Sequence, residues 1–257
     1  SCEAIVKKAK IIYEKYPESE DIALGYAIIL FNLSVKKPEL NEPKATIDKL
    51  QALHEHFPDS RDIAESFAKI LFNLSLKQPE LNEQDVAVDK LQALHEQYPD
   101  SRDIAEFFAK ILVNLSVEQS ELNEQEVAVD KLQALHEHFP DSRYIVESFA
   151  MILFNLSIKK TEVRESEATV EKVQKLHGDF PKSEIIAFIY GVFLASLFDH
   201  QTEVDERLQT TETIKKIYEQ FSEFMLQIFD NLFFYNDNVC FSEEYKLFNI
   251  ILKEGLL

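Results

Sequence analysis

Tryptophan is absent from this 257-residue chain, glycine occurs four times and cysteine twice. Each scarcity excludes something. So few glycines leave little room for a glycine-rich phosphate loop. Cys2 and Cys240 are isolated and match neither a metal-ligand spacing nor a disulfide framework, which suits a reducing, cytoplasmic compartment. Positive charge is also in deficit, with 27 Lys and Arg against 46 Asp and Glu for a net charge of −19. That balance argues against nucleic acid and anionic membrane surfaces as partners, since both need a basic footprint. The longest apolar run, IIAFIYGVFLASLF at 185–198, is shorter than the ~20 residues of a membrane span. No signal-peptide pattern is visible.

The chain does have material for a core, being 46% apolar and 28% charged, so it is not a disordered polymer. Its main property is repetition. Pro17, Pro58, Pro99, Pro140 and Pro181 stand at constant intervals of 41, each after an aromatic: Tyr16, Phe57, Tyr98, Phe139 and Phe180. Phe221 continues the series with Ser222 in the proline position. Segments 59–99 and 100–140 differ at eight of 41 positions, so this is a tandem array. The acidity is repeated too. Between Asp59 and Pro99 there are eight acidic and four basic residues, which a solvated face explains and a basic partner would also exploit.

Each unit reads as two helices. The first runs from about Ser60 to Leu76, with Ile63, Phe67, Ile70, Leu71 and Leu74 spaced by threes and fours, and Asp59 or Ser60 as its cap. The second is expected to start at NEQD, 82–85, with Asn82 as N-cap, and to end at Tyr98 because Pro99 disfavours helical geometry before it. KQPEL forms the turn between them. One hairpin cannot bury both apolar faces, so copies stack on their neighbours. Residues 3–16 look like an unpaired second helix, and hairpins start near 18, 59, 100, 141 and 182. The organisation expected is tandem repeats over 1–222 and a divergent, aromatic-rich end over 223–257. That end, with a helix after Ser242, is either a cap on the last repeat or a contact surface for homo-oligomers.

Over residues 1–222 these units resemble the tetratricopeptide repeat, a helix–turn–helix of about 34 residues closed by a proline. Ten residues after each proline, where that family places a small residue, stand Ala27, Ala68, Ala109, Ala150 and Gly191. Tyr26, Phe67, Phe108, Phe149 and Tyr190 lie one before, and Leu30, Leu71, Leu112, Leu153 and Leu194 three after. The small position of the second helix holds Thr46, Ala87, Ala128 and Thr169. The departures are the longer period, Ala23, Ala64, Ala105, Val146 and Ala187 where the family has tryptophan, and Leu53, Leu94, Leu135 and Leu176 in place of a late alanine. HEAT-type helical pairs, whose period is similar, are the second choice. Both imply an all-α protein; the resemblance implies a right-handed α-solenoid of stacked hairpins.

Catalytic chemistry finds no support. His54, His95, His136 and His177 recur, and HEH triplets at 54–56 and 136–138 suggest metal ligands. Residues two apart on a helix point about 200° apart, and copies in successive repeats are separated by about 10 Å, against a metal–ligand distance of about 2 Å. A structural or surface role follows. No Ser/His/Asp set or Cys/His cluster is present, so no catalytic residue, metal or cofactor is expected. The Asn-Leu-Ser sequons fall inside expected helices and are read as incidental.

One set of repeated residues is not required by stacking. With the first helix lining a concave face, as in the family, Asp62, Glu65, Lys69, Phe72 and Asn73 form one stripe, and Asp103, Glu106, Lys110, Val113 and Asn114 continue it. Asn32, Asn73, Asn114 and Asn155 would then form a ladder of amides able to bond an extended peptide; alternatively each Asn ends its helix and bonds the following loop. The family's carboxylate clamp is not reproduced, since Glu65 with Lys69, Glu106 with Lys110 and Glu147 with Met151 are mixed and acidic-leaning. The expected function is a non-enzymatic scaffold binding a segment of another protein, with a basic partner one option. The alternatives are a structural spacer or oligomerisation module of a larger protein and, more remotely, an accessory domain of an enzyme.

Overall fold

Five proline turns organise the chain. In each, the backbone N–H of a serine donates to the aromatic carbonyl three residues earlier, with proline second in the turn: Ser19 to Tyr16, Ser60 to Phe57, Ser101 to Tyr98, Ser142 to Phe139 and Ser183 to Phe180, at 3.0–3.2 Å. Proline presets its own φ and lacks the N–H that a continuing helix would need, so one helix stops and the next begins within four residues.

A computed structural model describes residues 2–36, 43–75, 81–118, 122–159 and 167–235. Among these it is all-helical. The helices are α1 (Cys2–Lys15), α2 (Glu20–Lys36), α3 (Pro43–His56), α4 (Arg61–Ser75), α5 (Leu81–Gln97) and α6 (Arg102–Glu118). They continue as α7 (Leu122–His138), α8 (Arg143–Lys159), α9 (Glu167–Asp179), α10 (Glu184–His200) and α11 (Val204–Tyr235). The fold is an α-solenoid of helical hairpins, with α2, α4, α6, α8 and α10 as first-type helices and α1, α3, α5, α7 and α9 as second-type.

Two boundaries differ from the expected ones. α5 begins at Leu81, so Asn82 lies inside the first turn and not at the N-cap. At the Ser222 position α11 does not stop but kinks, with Phe221 at φ −125° and ψ 29°. Serine keeps its backbone N–H, so the helix resumes where proline would have ended it. The KQPEL turn and the helix expected after Ser242 lie outside the described residues.

The chain divides into two compact units, Ser1–Glu118 with Ala134–Ile145, and Gln119–Gln133 with Val146–Leu257. In the first, α2, α4 and α6 touch in succession, α4 also contacts α3 and α5, and α1 lies on α2. In the second, α10 contacts α9 and α11. The repeat positions predict the core well. Ala23, Ala64, Ala105, Val146 and Ala187 are fully buried, as are Leu50, Leu91, Leu132 and Val173 on the second-type helices. In place of tryptophan, small side chains let the helices close directly on one another. At Gly191, however, an added Cβ would meet nothing within 4 Å, so the close approach leaves room for alanine there.

Serine hydroxyls join successive hairpins. Ser101 Oγ donates to Glu65 Oε1, Ser142 Oγ to Glu106 Oε1 and Ser183 Oγ to Glu147 Oε1, each at 2.7 Å. The same oxygens accept from the backbone N–H of Ile104, Ile145 and Ile186 at 3.3–3.4 Å, capping α6, α8 and α10. Ser60 caps α4 through Ile63 N–H in the same way, but the matching position one repeat earlier is Leu24. Beside these bonds, Arg102 Nη2 grips both oxygens of Asp141 at 2.7 and 2.8 Å and holds that carboxyl below its usual range.

Two substitutions test these contacts. Ser142→Ala removes a cap and leaves Glu106 short of a donor, so it should cost about 2 kcal/mol, against about 1 kcal/mol for Ser60→Ala; urea midpoints of the two variants make the comparison. Gly191→Ala should stabilise by about 0.5–1 kcal/mol through helix propensity, read as a rise in the thermal midpoint.

Candidate partner-binding stripe

The stripe on the first-type helices is held by the periodicity of those helices: positions three, four, three and one apart share a face. Asp62 and Asp103 are exposed there, as is Asp21 at the matching position of α2. Lys69 is exposed, Lys110 half-buried, and Phe72 half-buried between them. The Lys69 ammonium lies 4.8 Å from the centre of the Phe31 ring on α2. Lys110 lies 4.1 Å from the ring of Tyr144 and 5.4 Å from that of Phe107. Phe72 and Phe107 approach with ring centres 5.8 Å apart. Lysine and aromatic side chains thus meet across neighbouring helices of the first unit in two sets, Lys69 with Phe31, and Phe72 through Phe107 and Lys110 to Tyr144, a lattice held by ring–ring contact and by ring quadrupoles facing the ammonium groups.

The other stripe residues are committed elsewhere. Glu65 accepts from Ser101 and from Arg61 Nε at 2.7 Å, and Glu106 accepts from Ser142. The Glu65 carboxylate raises the Arg61 pKa above its ordinary value. Asn73 donates its Nδ2 to the Lys69 carbonyl at 2.7 Å, and Asn32 to the Ile28 carbonyl at 3.0 Å. These bonds run back along the asparagine's own helix, and not forward to the following loop. Asn155 is half-buried and engaged, and Asn114 is half-buried. Sequence reasoning missed Phe107 and Tyr144, which depart from the repeat consensus. Tyr144 occupies the position of Asp62 and Asp103, Phe107 that of Ser66 and Ser148. Those two irregularities were the available signal.

The recurrent histidines sit between hairpins. His54 lies against Phe67 and Tyr98 with ring centres 6.4 and 6.0 Å away, and its Nε2 is 3.0 Å from Gln97 Oε1. His95 lies 6.1 Å from Phe108, and His177 5.4 Å from Tyr190. Among the described residues, the buried Nδ1 atoms of His54, His95 and His177 have no hydrogen-bond partner. Burial lowers the pKa of His95, with His138 adding to it and Glu96 opposing, and burial alone lowers that of His177. The second histidine of each triplet faces an acid of the preceding repeat: His56 lies 3.8 Å from Glu18 and His138 3.5 Å from Asp100. Among the described residues, no cluster of three or more His, Cys, Asp or Glu could hold a metal ion, and no helix is long and apolar enough to cross a membrane.

A tetratricopeptide-repeat family model matches residues 63–101, which cover most of α4 and all of α5. No curated protein matches the chain in sequence. Similar solved structures include a human IFIT1 dimer with PPP-AAAA, 13% identical over 97% of this chain, with a TM-score of 0.42. This chain spans 56% of that one. Another is Nro1, a hypoxic regulator of sterol synthesis described as a nuclear import adaptor, 12% identical over all of this chain and 84% of its own, with a TM-score of 0.28. Superpositions that loose transfer no residue role. The chain is a tetratricopeptide-like helical repeat protein, a type that is generally non-catalytic scaffolding.

Protonation follows a definite sign. His95 and His177 have folded pKa values below the unfolded value of about 6.5, so the unfolded chain binds more protons between the two. Stability is full above pH about 6.5 and falls as pH drops towards the folded values. Thermal midpoints from pH 8 to pH 5 should decline below about 6.5, and His95→Phe should flatten that decline.

Proposed function

We propose that this tetratricopeptide-like array is a non-enzymatic scaffold that holds a segment of another protein along the first-type helices of its first unit. The observation that carries the reading is the lysine–aromatic lattice of Phe31, Lys69, Phe72, Phe107, Lys110 and Tyr144. The Ser–Glu bonds that join the hairpins do not use these side chains. The half-exposed rings offer apolar contact, the lysines offer N–H donors to a peptide backbone, and Asp21, Asp62 and Asp103 line up beside them as acceptors for basic side chains. With a net charge of −19 over the chain, a basic segment meets a favourable field. Asn32 and Asn73 each spend one amide N–H on their own helix, which leaves the carbonyl oxygen and the second N–H for a partner.

An array of basic, neutral and acidic peptides tests this against the native chain, an Asp62→Asn and Asp103→Asn double variant, and Tyr144→Ala. Basic peptides should bind preferentially, with about a tenfold loss for the double variant from two exposed ion pairs and a comparable loss for Tyr144→Ala. Equal binding by all three proteins would remove the stripe from the account. Binding of no peptide at all would favour a structural spacer, a reading supported by the use of Glu65 and Glu106 in hairpin-to-hairpin bonds.

A further inference from the structure

The junction of α9 with α11 lacks a bond that earlier junctions make. Lys49, Lys90, Lys131 and Lys172 occupy one position of the second-type helices, 41 residues apart. Lys90 Nζ donates to Gln51 Oε1 on α3, and Lys172 Nζ to Gln133 Oε1 on α7 at 3.3 Å. Each bond joins a lysine to a glutamine on the second-type helix of the preceding repeat. On α11 the lysine position is Thr213, while the glutamine is kept as Gln174 on α9. Thr213 Oγ1 turns back to donate to the Gln209 carbonyl at 2.9 Å, and Gln174 is exposed.

A cleft of about 340 Å³ lies at this place in the second unit, between α9, α10 and α11, a size at the lower end of the ~300–1,000 Å³ of small-ligand sites. Val170, Leu194 and Leu197 give it an apolar wall, with Glu167 and Glu171 of α9 and Glu206 of α11 around it. Among the described residues none of these three carboxylates has an ion pair or a hydrogen bond. Two nearby cations are engaged elsewhere: Lys172 reaches Gln133, and the Arg207 guanidinium lies 4.2 Å from the centre of the Phe198 ring. Thr210 Oγ1 donates to Gln201 Oε1 at 3.0 Å, which ties α11 to the end of α10 and holds the cleft in shape. Tyr190 points to a ligand independently of the acids. It lines the cleft and is 5% exposed, and among the described residues its hydroxyl has no hydrogen-bond partner. Phe67, Phe108 and Phe149 hold this position in the three preceding repeats, so packing does not call for the hydroxyl. A phenol buried without a partner costs stability, and a ligand that bonds it removes that cost.

We propose that this cleft binds a linear aliphatic polyamine. Its methylene segments lie along Val170, Leu194 and Leu197. The Tyr190 oxygen and the three carboxylates accept from its ammonium groups, one of which stands in for the missing lysine at Gln174. Acids set on two helices around an apolar wall suit several charges spaced along a flexible chain, and not one compact ion. Consistently, among the described residues no cluster of three or more His, Cys, Asp or Glu could hold a metal ion. The inference does not depend on the peptide-binding reading, because that surface lies in the first unit and shares no residue with the cleft.

Titration calorimetry of the full chain with spermidine, a linear triamine, and with n-butylamine, its single-charge counterpart, tests this. Spermidine should bind at one site, about tenfold tighter than n-butylamine, through the added charge-assisted bonds. Glu171→Gln should weaken that binding about tenfold, and Tyr190→Phe, a change to the residue of the three preceding repeats, about threefold. Thr213→Lys should weaken it about tenfold as well, because the lysine of the repeat is restored and fills the cleft. Ala52→Lys adds the same charge at an exposed position of the first unit and should change the affinity by less than about twofold. No binding, no effect of Tyr190→Phe, equal losses in the two lysine variants, or n-butylamine binding as tightly as spermidine would each overturn the proposal. So would trilysine binding about tenfold tighter than spermidine and losing that affinity in Thr213→Lys, which would give the cleft to a lysine side chain of another protein.

Discussion

A serine hydroxyl shared between two hairpins is the interaction on which the repeat depends. Ser101, Ser142 and Ser183 each accept from a backbone N–H of the helix they cap and donate to a glutamate on the preceding first-type helix. One oxygen thus couples the start of a helix to the position of its neighbour, which stacking of apolar faces alone would leave free to slide. Bonds to a carboxylate are among the stronger ones, at about 1.5–3 kcal/mol, although desolvating a glutamate as buried as Glu147 offsets part of this. At the ends of the array the pair is not made. Leu24 stands where Ser60 would find its acceptor, and Phe188 and Phe224 replace glutamate and serine in the last.

This arrangement sorts the repeated polar residues into two groups. Glu65, Glu106, Arg102, Gln97 and His54 spend hydrogen bonds on neighbouring hairpins, and Arg61 bonds Glu65 on its own helix. Asp62, Asp103, Lys69 and Tyr144 do not, and stay at the surface with the rings they border. A repeated residue is therefore no guide to a binding residue here. Repetition marks what every junction needs, whereas the lattice on α4 and α6 depends on Phe107 and Tyr144, where the repeat is broken. Unequal side chains along an otherwise uniform array give a partner segment a register to read.

Much of the fold was legible because stacking imposes the same requirements every 41 residues. Leu50, Leu53, Phe57, Ile63, Phe67, Ala68 and Leu71 read as core from their spacing; all are buried except Phe57, which is half-buried beside its proline turn. The start of α5 was not legible. Asn82 satisfies the local pattern of an N-cap, but the helix begins one residue earlier, and cap patterns fix ends only to within a residue or two. The site was half legible. Periodicity put Asp62, Glu65, Lys69, Phe72 and Asn73 on one face, but spacing says nothing about what a side chain does once its neighbour arrives.

The sequence by itself determined the unit length, the helix pairs, the proline turns and the buried positions, because these follow from local geometry and from an apolar pattern repeated in register. Only the tertiary structure decided the partners of the polar groups. Glu65 reaches Ser101 across 36 residues and Tyr98 reaches Pro58 across 40, and such distances in sequence close only when one hairpin lies on the next. For the same reason the exposure of Ile5, Ile12 and Tyr16 could not be read from α1. A second-type helix has the same pattern whether or not its outer face is covered, and burial is a property of the neighbour.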